Sequence, residues 1–389
     1  MARHLLVTND YPPKTGGIQV YLHELWSRLE PDRAVVVTAS SHEAAPVFDA
    51  ASPIAVERID ATTLYLPTPR VRARIEEAIA RHRPSLVLLD PAWPLGLIGP
   101  TLSVPYGVVL HGAEVTIPGR LPLVASTLRH VLRRASVIVA AGQYCETEAR
   151  RCVGGDLPPV VQIPPGVDVE RFTPLGEGDR RAVRERLGLT GPGPLLASYS
   201  RLVPRKGMDT LIRAAAILRR RGFDFTLAVG GSGRDRERLE RLAAREGVEV
   251  RFMGRIDDEV LPSWLASADV MVMDCRSRWL GLEQEGFGIV FVEAASAGVP
   301  AVAGRSGGSH EAVEDGETGL VVERSRSPQA LADALAARRR SPTPSKSCWL
   351  IRPFAPSTAP GPGRSRSSVS TGGSWRPNWV RAWSLSTAP

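Results

Sequence analysis

Short apolar runs recur along most of the chain, separated by stretches in which apolar residues repeat every three or four positions. Runs without regular polar alternation are typical of strands buried on both faces of a parallel sheet. The stretches of helical period supply the crossover helices that parallel strands need. The pattern therefore predicts an α/β fold. In the first half the clearest runs are 5–7, 34–37, 86–89, 107–110 and 137–140.

One interruption divides this pattern into two halves. Pro164, Pro165 and Gly166 stop a strand and allow a turn, and a Gly/Pro-rich stretch follows at 188–194. The alternation then resumes up to a last helix, which begins at Ser327 and Pro328 with a capping hydroxyl and a proline in the first turn. A chain of 389 residues is long enough for such a division. We expect one α/β domain over residues 1–170 and a second over 171–340.

The last segment, residues 341–389, differs in composition from everything before it. It contains eleven Ser, eight Pro and no Asp or Glu, without sustained periodicity. Such a composition does not pack a core, so we expect a disordered, low-complexity tail. Its one Lys and five Arg supply most of the net charge of +8, so the basic balance predicts no nucleic-acid partner. We hypothesise that the reading frame shifts near residue 340.

Other sequence signals exclude several classes of protein. The four cysteines form no CxxC pair, which indicates a reduced cytoplasmic chain without a structural metal. No run of about 18 apolar residues occurs, so no membrane span is expected. No Asp-x-Asp pair follows a strand, so no carboxylate platform for Mg²⁺ is visible. We expect no metal and no required cofactor.

Two loops that follow strands have the composition of anion sites. Gly16 and Gly17 lie between the first strand and the first helix, where a phosphate can approach backbone amides at the helix N-terminus. At the corresponding place in the second half, Arg201, Arg205 and Lys206 follow a strand. Together a guanidinium and an ammonium can neutralise a diphosphate. The alternatives are an ordinary tight turn and a solvated basic loop.

Two acidic residues flank a glycine loop in the second half. Glu285 precedes Gly286, Phe287 and Gly288, and Glu293 follows eight positions after Glu285, inside an apolar stretch of helical type. A carboxylate beside such a loop suits sugar hydroxyls, since buried carboxylates need hydrogen-bonding partners. The alternative is that Glu285 is a helix N-terminal charge and Glu293 a surface residue.

His111 directly follows an apolar run of the first half. A histidine after a strand is often a structural residue, but the carboxyl ends of parallel strands are where α/β sheets bind ligands. His111 is therefore a candidate ligand contact.

Taken together, these residues resemble a known family. Arg201 and Lys206, then Glu285 and Glu293, then 297–300, are similar to the donor half of the retaining family 4 glycosyltransferases, and the resemblance covers roughly residues 1–338. It implies GT-B architecture, in which two Rossmann-like, doubly wound domains face each other across a cleft. Segments 6–19 and 200–207 resemble the subgroup of phosphatidylinositol mannoside mannosyltransferases, which use GDP-mannose.

The resemblance also implies roles for individual residues. Catalytic roles fall to His111, Arg201, Lys206 and Glu285. Asp10 and His111 would contact the acceptor. The donor would be bound by Gly16, Gly17, Arg201, Lys206, Glu285, Gly286, Phe287, Gly288, Ile289 and Glu293.

The implied reaction transfers a hexose, expected to be mannose from GDP-mannose, to a phosphatidylinositol mannoside-type glycolipid or another small alcohol. Alternatives within the family are another nucleotide sugar and acceptor, for example UDP-N-acetylglucosamine, and a donor-binding protein inactivated by its tail. A sugar-nucleotide epimerase has similar architecture. A dinucleotide-dependent oxidoreductase is suggested by the glycines at 229–233 with Glu249, but the full G-x-G-x-x-G is absent.

Arginines cluster on two helical stretches of the first half. One stretch has Arg70, Arg72, Arg74, Arg81 and Arg83 with apolar residues, and the other has Arg129, Arg133 and Arg134. Basic amphipathic faces meet anionic lipid, although an ordinary surface helix has the same pattern. We expect peripheral contact with the inner face of the cell membrane.

Overall fold

The computed structural model of the chain describes residues 3–39, 42–60 and 63–339. Two α/β units follow each other along these residues, each built on a parallel sheet. The expectations for the 341–389 tail, including a shifted reading frame, lie outside the described residues. The prediction of two doubly wound parallel sheets is confirmed.

The first sheet contains seven strands within the described part of the chain, in the order β3-β2-β1-β4-β5-β6-β7. Every pair of neighbours is parallel. All five apolar runs of the first half form strands, because such runs are buried from both sides by helices. The strands are β1 His4–Thr8, β2 Ala34–Ala39, β3 Ala55–Ile59, β4 Leu86–Asp90, β5 Tyr106–Leu110, β6 Val137–Ala140 and β7 Val160–Gln162.

Helices cover the first sheet. The helix after β1 buries Tyr21, Leu22 and Trp26 against it, as the three-to-four-residue period predicts. The helices of this unit are α1 Gly17–Trp26, α2 Ala45–Ala51, α3 Pro69–His82, α4 Ala113–Arg120, α5 Pro122–Arg134 and α6 Gln143–Val153.

The second sheet has six strands among the described residues, in the order β10-β9-β8-β11-β12-β13, again all parallel. Its strands are β8 Leu195–Tyr199, β9 Thr226–Gly230, β10 Arg251–Gly254, β11 Val270–Met273, β12 Ala301–Gly304 and β13 Gly319–Val322. Its helices are α7 Glu177–Arg186, α8 Met208–Arg220, α9 Arg236–Glu246, α10 Leu261–Ser267, α11 Ile289–Ser296 and α12 Pro328–Arg339.

The last helix begins where the sequence predicts. The Ser327 hydroxyl accepts a hydrogen bond from the Ala330 amide at 3.2 Å, and Pro328 is the first residue of α12. This cap satisfies an amide that has no acceptor within the helix.

Each unit has its own hydrophobic core. Ile163 packs in the core of the first, whereas Phe172 packs in a core of the second. The helix α7 also belongs to the second unit, because Arg180 and Arg184 both pair with Asp269 beside β11. These contacts place the change of core between residues 163 and 172, and the exact domain bounds stay a prediction.

Candidate active site

The strand order of each sheet reverses once, and the reversals position the candidate site. In the first sheet β1 lies beside β4, and in the second β8 lies beside β11. Chains leave such neighbouring strands toward opposite faces of the sheet, which opens a crevice at their carboxyl ends. The loop with Gly16 and Gly17 follows β1, and the basic loop 200–207 follows β8.

A buried histidine and carboxylate form a pair at the first crevice. The His111 Nε2 atom lies 2.8 Å from Asp90 Oδ1, and 8% and 2% of the two side chains are exposed. Thr8 holds the carboxylate, since its hydroxyl donates to Asp90 Oδ2 at 2.6 Å. The register explains this contact, because Thr8 and Asp90 are paired at the ends of β1 and β4.

The electrostatics of His111 depend on that carboxylate. Burial by itself would lower the pKa of His111, but the adjacent Asp90, with smaller effects of Glu114 and Asp10, raises it above its ordinary value. The Tyr21 ring packs perpendicular to the imidazole, with ring centroids 5.4 Å apart. His111 is thus held as a hydrogen-bond donor with raised positive character.

Asp10 is held from two sides. Its Oδ1 accepts a hydrogen bond from Gln19 Nε2 at 2.8 Å, and its Oδ2 accepts one from the Tyr65 hydroxyl. Burial and the nearby Asp10 raise the pKa of Tyr65, so the phenol keeps its proton. The carboxylate that was predicted to contact the acceptor is therefore fixed in orientation.

On the donor side, Lys206 and Glu285 form a buried ion pair. The Lys206 Nζ atom lies 2.8 Å from Glu285 Oε2, and the side chains are 10% and 11% exposed. Arg205 adds a second cation, with its Nε 3.6 Å from the same oxygen. Burial alone would raise the pKa of Glu285, but Lys206 and then Arg205 hold it below the ordinary value. The carboxylate is therefore ionised.

The turn that carries Lys206 requires glycine at its end. Gly207 has φ +73°, and a Cβ there would lie 2.0 Å from the Asp274 carbonyl oxygen. No other residue combines this backbone conformation with so close an approach. The turn that carries Lys206 therefore packs against the backbone of Asp274, the residue that follows β11.

Arg201 differs from Lys206. Its side chain is exposed, and its guanidinium has no hydrogen bond or ion pair with any residue that the structure describes. The same charge still acts on Glu285, where it contributes to the lowered pKa. A free cation above a buried pair is suited to an anionic ligand.

The helix α11 presents amides and a carboxylate to the same region. Gly288 precedes it with φ +92° and ψ 61°, and the first amides of any helix have no acceptor within it. Glu293 lies one turn into α11, half-buried, and burial raises its pKa to about 7. Its carboxylate makes no hydrogen bond with a described residue, so the two carboxylate oxygens are available to hydroxyl groups. The charge of Arg171 opposes this rise of the Glu293 pKa, and that of Asp258 adds to it.

The two halves of the site touch. A Cβ on Gly286 would lie 2.4 Å from the His111 carbonyl oxygen, and one on Gly17 would lie 3.5 Å from Ile289 Cδ1. The loops predicted to bind donor and acceptor therefore face each other in contact, as the predicted cleft requires. Glycine at 286 is needed for this approach because the opposing atom is backbone.

A further contact joins the units beside the site. Both Glu311 oxygens accept backbone hydrogen bonds from the start of α6, at 2.7 Å from the Gln143 amide and 2.6 Å from the Tyr144 amide. A carboxylate from the second unit thus caps a helix of the first. Burial raises the pKa of Glu311, and these two amides oppose the rise.

Sequence reasoning missed several of these residues. Asp90, Tyr65 and Glu311 are the most consequential, and Asp90 carried a signal, because it is the acid that ends the apolar run 86–89 at the carboxyl edge of the sheet. Tyr65 lies in a loop and Glu311 in a short 3-10 turn, Ser309–Ala312, and neither segment has a sequence pattern that marks a site. Among the described residues, no three His, Cys, Asp or Glu side chains are grouped to hold a metal ion.

Comparison with known families agrees with this geometry. Residues 15–171 match the model of Glycosyltransferase Family 4, and residues 179–343 match the model of Glycosyl transferases group 1. The chain belongs to the family 4 glycosyltransferases. It is therefore a glycosyltransferase of GT-B architecture, as the sequence predicts.

Curated relatives extend over most of this glycosyltransferase. It is 41% identical over 350 residues to the GDP-mannose-dependent alpha-(1-6)-phosphatidylinositol monomannoside mannosyltransferase of Mycolicibacterium smegmatis, covering 87% of this chain and 90% of the relative. It is 37% identical to the Corynebacterium glutamicum enzyme that acts on the monoacylated form, with 82% and 84% covered. A D-inositol 3-phosphate glycosyltransferase of Catenulispora acidiphila is 30% identical, with 79% and 78% covered.

Solved structures show the same fold at lower identity. The sucrose-phosphate synthase of Thermosynechococcus elongatus aligns with a TM-score of 0.73 at 21% identity, covering 90% of this chain and 92% of the other. Anabaena HepE in complex with UDP and glucose aligns with a TM-score of 0.70 at 23% identity, covering 87% and 90%. Within the described residues, no helix is long and apolar enough to cross a membrane.

Proposed function

We propose that this glycosyltransferase transfers mannose from GDP-mannose to a phosphatidylinositol mannoside-type glycolipid, with retention of the anomeric configuration. The observation that supports it most is the 41% identity to a mannosyltransferase of that name over 87% of the chain. The donor is a nucleotide sugar. The site agrees with such a donor, since it combines an exposed guanidinium, a buried ammonium, helix amides and two carboxylates.

The cations act where charge develops. As the glycosidic bond breaks, negative charge grows on the leaving diphosphate, and Arg201 and Lys206 bind it more strongly than in the ground state. Lys206 already neutralises Glu285 at 2.8 Å, so the same ammonium connects the diphosphate to the carboxylate. In this proposal Arg201 is recruited by the donor, whereas Lys206 is in place beforehand.

The carboxylates and the helix bind neutral groups. Glu285, with the backbone of Gly286, Phe287, Gly288 and Ile289, holds the transferred sugar, and Glu293 accepts hydrogen bonds from the ribose hydroxyls. Gly16 and Gly17 close on the phosphates from the other domain. These assignments follow from the family resemblance, and the contacts of Gly17 with Ile289 and of Gly286 with His111 support them.

His111 and Asp10 serve the acceptor side. Because Asp90 occupies Nε2 of His111, Nδ1 is the nitrogen that remains for a ligand. The raised pKa favours the protonated form of His111, which donates hydrogen bonds and has no free lone pair to accept the acceptor proton. The acceptor proton therefore passes to the departing phosphate oxygen as the acceptor oxygen attacks on the same face of the sugar. Positive charge on the sugar ring is balanced by the adjacent phosphate.

Donor selectivity and turnover test this proposal in two steps. The purified chain is heated with GDP-mannose, with UDP- and ADP-sugars in parallel, and a ligand at 100 times its Kd adds about 2.7 kcal/mol to the free energy of unfolding. Release of GDP is then measured with and without a phosphatidylinositol mannoside, and the anomer of the product is determined by NMR. GDP-mannose-selective stabilisation with acceptor-dependent GDP release supports the proposal. Selectivity for a UDP-sugar, or transfer to inositol 3-phosphate alone, refutes it.

A further inference from the structure

Five large apolar side chains that are exposed to solvent lie along two segments that meet where the domains touch. One segment is the end of α4 together with the start of α5, and the other is the loop 277–284 of the second domain. Arg120 joins the segments, since its Nη1 donates to the Leu280 carbonyl at 3.0 Å. We call these five the apolar rim: Ile117 (40% exposed), Leu121 (41%), Leu123 (91%), Trp279 (63%) and Leu280 (101%).

Both segments of the apolar rim start at the active site. The helix α4 begins at Ala113, two residues after His111, and its eight residues span about 12 Å. The loop 277–284 leads directly into Glu285, whose neighbour Gly286 touches the His111 carbonyl. The two segments therefore meet at the active site, where the donor and acceptor loops are in contact, and the apolar rim lies at their far ends.

The backbone at the tip of the loop is strained in a way that exposes its apolar residues. Trp279 and Leu280 have φ of 48° and 54°, a region that bulky residues avoid. The base of the turn is fixed by an ion pair of 2.6 Å between Arg278 and Glu283 and by two backbone hydrogen bonds between the same residues. The Arg278 guanidinium lies 4.7 Å from the centre of the Trp279 ring. Exposing these two side chains to solvent does not stabilise the fold, and exposed apolar patches of this kind mark binding surfaces.

Two arginines at the apolar rim are paired with acids, Arg120 with Glu148 at 2.8 Å and Arg278 with Glu283 at 2.6 Å, whereas the arginines of α5 have no acidic partner among the described residues. Residues 115–145 contain no Asp or Glu, and they include four arginines. Along the exposed face of α5, Leu123 lies near one end and His130, Arg133 and Arg134 lie toward the other. An apolar end followed by cations is typical of helices that lie in a lipid interface. By contrast, arginines of α3 pair with Glu77 and Glu57, so its charge is partly compensated.

We propose that the apolar rim and the basic end of α5 dock the enzyme on an anionic lipid bilayer, with Trp279 and Leu280 inserted among the lipids. This rests on the proposed function to the extent that a glycolipid acceptor resides in a bilayer. Docking by the rim places the lipid surface about 12 Å from His111, which is the length of α4. Because the rim includes both domains, the bilayer also favours the state in which they are in contact.

Vesicle binding tests the docking surface without requiring catalysis. The full chain is sedimented with vesicles of phosphatidylcholine and phosphatidylglycerol, and with vesicles of phosphatidylcholine alone. The double variant W279S/L280S should bind the mixed vesicles at least about tenfold more weakly, because it removes two large apolar side chains. Its matched control is V47S/V169S, which removes side chains that are 77% and 65% exposed elsewhere and should bind like the unaltered chain.

A charge variant and a solution measurement complete the test. R133Q/R134Q should lose affinity for mixed vesicles and most of the salt dependence of binding. Unchanged vesicle binding by W279S/L280S overturns the proposal. So does a dimer of the unaltered chain that W279S/L280S dissociates, because the rim would then be an interface between copies. A chain that binds vesicles but shows no mannosyl transfer leaves the docking surface supported and refutes the proposed function alone.

Discussion

Replacing Lys206 by Met should destabilise the second domain much more than the same change at Arg201. Both are assigned to the donor diphosphate, but only Lys206 neutralises a buried carboxylate, at 2.8 Å from Glu285. Breaking a buried pair by removing one partner costs about 3–5 kcal/mol. Arg205, 3.6 Å from the same oxygen, retains part of the compensation, so we expect about 3 kcal/mol, near the lower end of that range. That corresponds to a fall in Tm of roughly 6–12 °C.

Calorimetry and urea unfolding of K206M, R201M, E285Q and K206M/E285Q measure these effects. R201M should stay within about 0.5 kcal/mol of the unaltered chain, since its side chain is exposed, while losing affinity for GDP-mannose. The double variant should be clearly more stable than the sum of its single changes predicts, because it leaves no buried charge without a partner. The loss of unfolding free energy in K206M should become smaller at acid pH, where Glu285 is protonated. Equal stability of K206M and R201M, or additive changes in the double variant, would refute the reasoning.

Three further predictions concern the rest of the site. Asp90 raises the pKa of His111 in the folded chain. The stability that their pair contributes is therefore complete below about pH 6.5 and is lost as pH rises through the folded pKa. Urea unfolding across pH should show that D90N loses most stability, relative to the unaltered chain, at low pH. G286A should lower kcat far more than donor affinity, because the new Cβ would lie 2.4 Å from the His111 carbonyl oxygen. Its control is G155A, where a Cβ would have nothing within 4 Å. Similar kinetics in both variants would contradict the role of the contact between the domains. Burial raises the pKa of Glu293 from 4.5 to about 7, so the free energy of unfolding falls as pH rises through that window. E293Q should lack this fall and should bind GDP more weakly. Calorimetric titration at both ends of the window would show the weaker binding.

Local patterns in the sequence were sufficient for the elements that position the site. Apolar runs became strands because parallel strands are covered on both faces. The hydroxyl of Ser327 became the cap of α12 because capping depends only on residues three positions apart. The site residues named from the sequence lie in the segments that follow the carboxyl ends of these strands, or in the helices after them, as Gly17 does in α1 and Ile289 and Glu293 do in α11. Their individual roles stay predictions until donor and acceptor binding are measured.

Other contacts needed the tertiary structure. Tyr65 reaches Asp10 across 55 positions, and Glu311 reaches the start of α6 across 168. Neither residue has a neighbour in the sequence that marks its partner. The division of the arginines into compensated and uncompensated helices also required the fold, because Arg81 of α3 pairs with Glu57 of β3.

What the sequence by itself determined is the α/β alternation, the division into two domains and the residue types that a nucleotide sugar requires, since each depends on spacing along the chain. Only the tertiary structure decided that Asp90 lies against His111 and that Lys206 is already paired with Glu285, whereas the Arg201 guanidinium has no partner among the described residues. It also decided that Trp279 and Leu280 lie beside Arg120. These relations join residues brought together by strand order and domain contact. Their distances depend on packing of the whole chain, for which no local periodicity carries a signal.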